Sequence, residues 1–142
     1  MKTNKILGLS FFYHDSAAAL VEDGIVISAA QEERFTRKKH DESFPQNAID
    51  FCLENSNLTV ADLDAIVFYE KPILKFERLL MTYIKTWPFG FRSFLKAMLS
   101  WLPSKLWVEK KIRKALSYEG PIYFTEHHMA HASGAYPLDP AR

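Results

Sequence analysis

Three short apolar runs stand almost end to end in the first thirty-one residues: Lys5–Ser10, Ser16–Glu22 and Ile25–Gln31. Each is too short for a stable helix and has the length of a buried strand. Only Asp23-Gly24 separates the last two, and an Asp-Gly pair between apolar runs is a strong short-range hairpin signal. The flanking Val and Ile residues outweigh the poor strand propensity of Ala17–Ala19.

The pattern then changes period. Ala48, Ile49, Cys52 and Leu53 recur at helical spacing and predict an amphipathic helix from Pro45 to about Ser56. Pro45 suits the first helical position and Ser43 is the expected cap. Thr59-x-x-Asp62 reads as a short capped turn, and Ala65–Tyr69 as another buried strand. Three strands, a helix and a strand make an α/β chain.

Residues 72–118 read as helices broken by Pro88 and Pro103 and crowded with aromatics such as Trp87, Trp101 and Trp107. Charge marks this middle off: residues 1–70 carry net −6, residues 71–114 net +9 and residues 115–142 net −2. The bland reading is a helical hairpin packing its rings inward; a partner surface, or a lid over an anionic substrate, is the alternative. A membrane-surface helix fits poorly, because the prolines interrupt any long apolar face. Pro121–Thr125 returns to strand, and His127–Ala135 reads as the start of a helix.

With 48% hydrophobic and 25% charged residues, the 142-residue chain can bury one core. Its single cysteine, Cys52, excludes an internal disulfide and any cysteine cluster for zinc. No signal-peptide pattern and no span of roughly 20 apolar residues is present, so a cytoplasmic protein is expected. Overall charge near neutrality, at +1, argues against nucleic acid as a partner.

Three places carry polar chemistry. Tyr13-His14-Asp15-Ser16 falls in the turn between the first two strands, at the carboxyl end of a strand where open α/β sheets bind ligands. His14 there is a candidate proton carrier or anion donor, with Asp15 to orient it. A turn in which Asp and Ser bond their own backbone is the competing reading. The second place holds Arg34, Arg37, Lys38 and Lys39 within six residues, a fork-and-point-charge set suited to phosphate, or else a solvated loop. The third is Glu126-His127-His128-Met129-Ala130-His131. On a helix His127 and His131 share a face, as a two-histidine metal grip needs, and His128 is an alternative partner for His131. The zincin pattern is absent, and two histidines need a carboxylate from elsewhere. Metal ligation and ordinary core or surface histidines both stand at this point.

Taken in order, Ile6-Leu7-Gly8-Leu9-Ser10, His14-Asp15-Ser16-Ala17-Ala18-Ala19, Gln31 through Lys39, Phe44-Pro45, Tyr69-Glu70-Lys71-Pro72 and Glu126 through Ser133 resemble the N-terminal part of the O-carbamoyltransferases related to nodulation protein U and to antibiotic carbamoyltransferases. The resemblance implies the N-terminal part of an actin-like ATPase (ribonuclease H-like) domain, with a mixed sheet and flanking helices. The core would be residues 1–70 and 119–142, interrupted by a helical insertion at about 72–118. It also implies an enzyme several times longer, using carbamoyl phosphate and ATP. Such an enzyme forms a carbamoyl-adenylate and then carbamoylates a hydroxyl of a sugar or natural product. The resemblance places His14, Arg37 and Lys39 around the carbamoyl phosphate or adenylate. With the residue types above, His14, Asp15 and Lys39 are the expected catalytic residues, Lys38 being the register rival of Lys39, and Arg34, Arg37 and Lys38 the expected substrate-binding ones. His127 and His131, or His128, would hold a divalent metal of the iron, zinc or manganese type. The expected partners are small-molecule substrates and the polypeptide beyond residue 142, and an unpaired sheet edge would invite homo-oligomers. The fragment alone is expected to be inactive. The alternatives are a non-catalytic binding module and a related tRNA threonylcarbamoyl-modifying protein.

Overall fold

The computed structural model describes residues 3–12, 15–70, 77, 80–85, 94–96 and 107–125. The strands are β1 (Lys5–Ser10), β2 (Ala17–Glu22), β3 (Ile25–Gln31), β4 (Ala65–Phe68) and β5 (Ile122–Phe124). They form one sheet in the order β3-β2-β1-β4-β5. β1 is parallel to β4 and β4 to β5, while β2 runs antiparallel to both β1 and β3. Only β2 is therefore reversed, which is the order and polarity of a ribonuclease H-like sheet. The consequence for function is geometric: β1, β3, β4 and β5 all end at the same edge.

Period-two alternation gives the sheet two different faces. Leu7, Leu9, Ala18, Leu20, Ile66 and Phe68 are buried on one of them. Helix α2 (Gln46–Asn55) covers that face with Ala48, Ile49, Cys52 and Leu53, all buried. The alanines of β2 hold strand geometry because this packing overrides their propensity. A small side chain at Ala18 lets α2 come close, and Cys52 Sγ lies 3.6 Å from the Ala18 carbonyl oxygen. Burial pushes the Cys52 thiol up, so it packs as a small apolar group. On the outer strand β3, Ile25, Val26 and Ile27 remain exposed.

The sequence places the cap of α2 on Ser43, but the structure does not. The opening amides of the helix are instead met by Glu32, at the end of β3. Its Oε1 accepts from Asn47 Nδ2 at 2.6 Å and from the Asn47 amide at 3.3 Å. Oε2 accepts from the Ala48 amide at 2.9 Å. Glu32 is 2% exposed. A carboxylate so buried is tolerable only with such partners, and the helix N-terminus supplies both donors and favourable field. Ser43 turns its amide to Asp41. The expected capping box does form, with the Thr59 amide and hydroxyl both bonding Asp62.

The charged stretch read as a solvated loop opens with one short helix, α1 (Glu33–Thr36). It stops where Arg37 turns left-handed at φ 59. Beyond the strand β4, residues 71–117 make a second compact unit, distinct from the one formed by 1–70 and 118–142. Within that second unit residues 80–85 and 94–96 are helical, and Tyr83 stacks on Phe94 at 4.0 Å between centroids. Its last helix, α3 (Val108–Leu116), buries Val108, Ile112 and Leu116 at four-residue spacing and exposes Lys110, Lys111 and Lys114.

Glu32→Ala should lower stability by about 2–3 kcal/mol, since it strands buried helix amides. Glu32→Gln, which keeps one acceptor oxygen, should fall between it and the parent. Urea-unfolding midpoints of the three chains check this order.

Candidate functional site at the carboxyl edge of the sheet

Two loops leave the sheet at its carboxyl edge. One, residues 11–16, joins β1 to β2; the other, residues 32–43, follows β3. The chain ties them together. The Phe12 amide donates to Glu42 O at 3.1 Å, Ser16 N to Asp41 O at 2.9 Å and Glu32 N to Ser16 O at 2.8 Å. Side chains add another tie, with His40 Nδ1 3.0 Å from Asp15 Oδ1. Beneath the first loop lies a floor of rings. Phe11, fully buried, meets Phe44 at 5.1 Å and Phe68 at 4.9 Å, both edge-on.

These loops hold strained backbone. Phe12, Asp15, Arg37 and His40 all have positive φ, at 74°, 56°, 59° and 55°. For residues other than glycine each such angle costs on the order of 1 kcal/mol or more, and it persists only where the surroundings enforce it. Strain of this kind concentrates at functional sites. Among the described residues, the buried hydroxyls of Ser16 and Thr125, along with Ser56 at the far end of α2, have no hydrogen-bond partner. Ser16 and Thr125 both stand at the carboxyl edge, where an orphaned donor is a cue for a ligand.

Asp41 anchors the second loop. It is 3% exposed, with its pKa lowered to about 2. The causes are hydrogen bonds from the Ser43 hydroxyl and amide and from the Thr36 hydroxyl, with a smaller pull from Lys38. The Thr36 bond is 2.8 Å and the Ser43 amide bond 3.0 Å.

Along the strands lies a cleft of about 1170 Å³, with Phe51 of α2 also in its lining. Small residues, Gly8, Ala19 and Ala29 among them, pave it, and Ser10, Gln31, Tyr69 and Thr125 stand at its carboxyl end. Arg34 and Phe35 of α1 border it.

The four cations that crowd together in sequence have different surroundings. Arg34 is exposed and lines the cleft, Arg37 sits on the left-handed turn, and Lys38 Nζ reaches Asp41 at 3.9 Å. Lys39 is exposed and, among the described residues, forms no ion pair, which separates it from its neighbour. Asp15 is in the first loop as expected, engaged with His40. His40 is the residue that sequence reasoning missed; its pairing with Asp15 spans 25 positions and has no local signature. His14 lies outside the described residues, as do His127, His128 and His131. Among the described residues no three His, Cys, Asp or Glu side chains gather as a metal site, and no helix is long and apolar enough to cross a membrane.

The depressed pKa of Asp41 sets a sign. Its contribution to stability is complete above the ordinary carboxylate value of 3.8 and is lost as pH falls through about 2. Asp41→Asn should therefore lower the unfolding midpoint at neutral pH, and the gap from the parent should narrow as pH is taken from 4 toward 2.

Comparison with known proteins places these loops in a family. Residues 5–141 match the family described as carbamoyltransferase N-terminus. The chain is 50% identical over 147 residues to the Synechocystis sp. protein sll1178, covering 96% of this chain and 24% of that protein. It is 32% identical over 133 residues to the nodulation protein NolNO of Sinorhizobium fredii, covering 89% of this chain and 18% of NolNO. The chain thus spans a quarter or less of these relatives. Among solved structures, YeaZ from Pseudomonas aeruginosa aligns with 87% of this chain and 43% of its own at 14% identity, with a TM-score of 0.44. By the extent of the match, this chain belongs to the carbamoyltransferase N-terminal family.

Proposed function

We propose that the tied loops form the carbamoyl phosphate end of an enzyme that passes a carbamoyl group, by way of an ATP-derived carbamoyl-adenylate, to a hydroxyl of a sugar or natural product. One observation carries the reading: the two polar motifs, remote in sequence, are fastened to each other at the carboxyl edge of the sheet. A phosphate-bearing substrate there would meet Arg34, Arg37 and Lys39, whose fixed charges offset the charge of the phosphate oxygens. Lys38 is partly spent on Asp41, which favours Lys39 for this role. His14, which precedes Asp15 in the sequence, would hydrogen-bond a phosphoryl or carbamoyl oxygen. In the final step the acceptor oxygen bonds the carbamoyl carbon, the mixed-anhydride bond to AMP breaks, and the hydroxyl proton passes to a base.

The metal reading rests on sequence spacing. His127 and His131 would be two ligands, with a third from the rest of the protein, and a divalent ion there would polarise a carbonyl or phosphoryl oxygen. A cytoplasmic protein that binds no nucleic acid follows from the same reading.

In the full-length protein, ATP-dependent turnover of carbamoyl phosphate should fall about 100-fold or more in His14→Ala with the fold retained. In His127→Ala/His131→Ala, bound metal and turnover should be lost together. Turnover unchanged in His14→Ala would refute the assignment. Binding of an RNA or protein ligand without carbamoyl phosphate turnover would point to the tRNA-modifying or binding-module alternatives.

A further inference from the structure

Asp15 and His40 make a side-chain hydrogen bond whose cost and benefit do not balance as a stability device. Their side chains are 36% and 64% exposed, and exposed pairs of this kind contribute little to folding. Both residues nevertheless sit in left-handed backbone, at φ 56° and 55°. The backbone bonds from Phe12 and Ser16 fix the two ends of the first loop. The Asp15–His40 bond instead grips its interior, at the residue next to His14. On the other side His40 is itself held, its amide donating to Glu33 Oε2 at 3.3 Å. The second loop thus reaches across through one imidazole and holds the first at Asp15.

We propose that His40 is a positioning residue: acting through Asp15, it fixes the first loop and so the fit of that loop to carbamoyl phosphate. The inference rests on the functional reading above. With Nδ1 committed to Asp15, the ring works as a strut, and among the described residues its Nε2 has no partner. What the pair gains is pre-organisation: displacing a substrate-binding group by about 1 Å costs on the order of 100-fold in rate.

The test uses full-length protein, with steady-state turnover of carbamoyl phosphate and melting temperature measured on each variant. His40→Ala and Asp15→Ala should each lower kcat/KM for carbamoyl phosphate about tenfold to 100-fold, chiefly through KM. Melting temperature should scarcely move. The double variant should be no worse than the poorer single one, since the two act as a unit. His40→Asn, whose Nδ2 stands where the imidazole Nδ1 stood, should recover to within about threefold of the parent. Parent-like turnover in His40→Ala overturns the proposal, as do multiplying effects in the double variant. Failure of His40→Asn to rescue also overturns it and would put the imidazole itself on the substrate. A large loss of melting temperature alongside activity would make the pair merely structural, which again overturns it. His14→Ala separates the two levels: if it is crippled while His40→Ala is silent, only this inference falls, and if it is silent the functional reading falls as well.

Discussion

The carboxyl edge of the sheet turns on Glu32. Its carboxylate takes the first amides of α2, its own amide donates to Ser16 O in the first loop, and its carbonyl accepts from Phe35, Thr36 and the Thr36 hydroxyl. One buried residue thereby joins the end of β3, the start of α1, the start of α2 and the loop that carries His14. Burying a carboxylate is costly unless its oxygens are filled, and the unsatisfied amides of a helix start are suited to fill them. Once Glu32 is seated, the second loop has a fixed origin, and Asp41 fixes its other end. The strained angles between those two anchors follow from how little slack remains.

Charge in this region divides between structure and surface. Glu32 and Asp41 are buried and act on backbone amides and hydroxyls, whereas Arg34, Arg37 and Lys39 are exposed around the site. An acid-rich stretch beside a basic one looks in sequence like a self-cancelling loop. In three dimensions Glu32 and Asp41 are turned inward and their carboxylates are occupied by amides and hydroxyls, while Glu42 and the cations stay exposed.

Much of the fold was legible because its signals are local. Asp23-Gly24 marked the hairpin, the spacing of Ala48, Ile49, Cys52 and Leu53 marked α2, and Thr59 with Asp62 marked the capped turn. What escaped was long-range. The cap of α2 comes from 15 and 16 residues upstream, and nothing near Ser43 announces that a glutamate at the end of β3 will displace it. The partner of Asp15 lies 25 residues downstream. Short α1 was hidden because a single helical turn has too few residues to show a period. Of the candidate site, Asp15, Arg34, Arg37, Lys38 and Lys39 were read from residue type and order. Their division of labour was not, since it depends on which side chains Asp41 and the cleft engage.

The central claim is that residues 11–16 and 32–43 form one binding site. Amide hydrogen exchange of the full-length protein, with and without carbamoyl phosphate, tests it most directly. Added protection concentrated in both segments together is the predicted result. Protection confined to one of them, or appearing elsewhere while both stay unchanged, would contradict the claim.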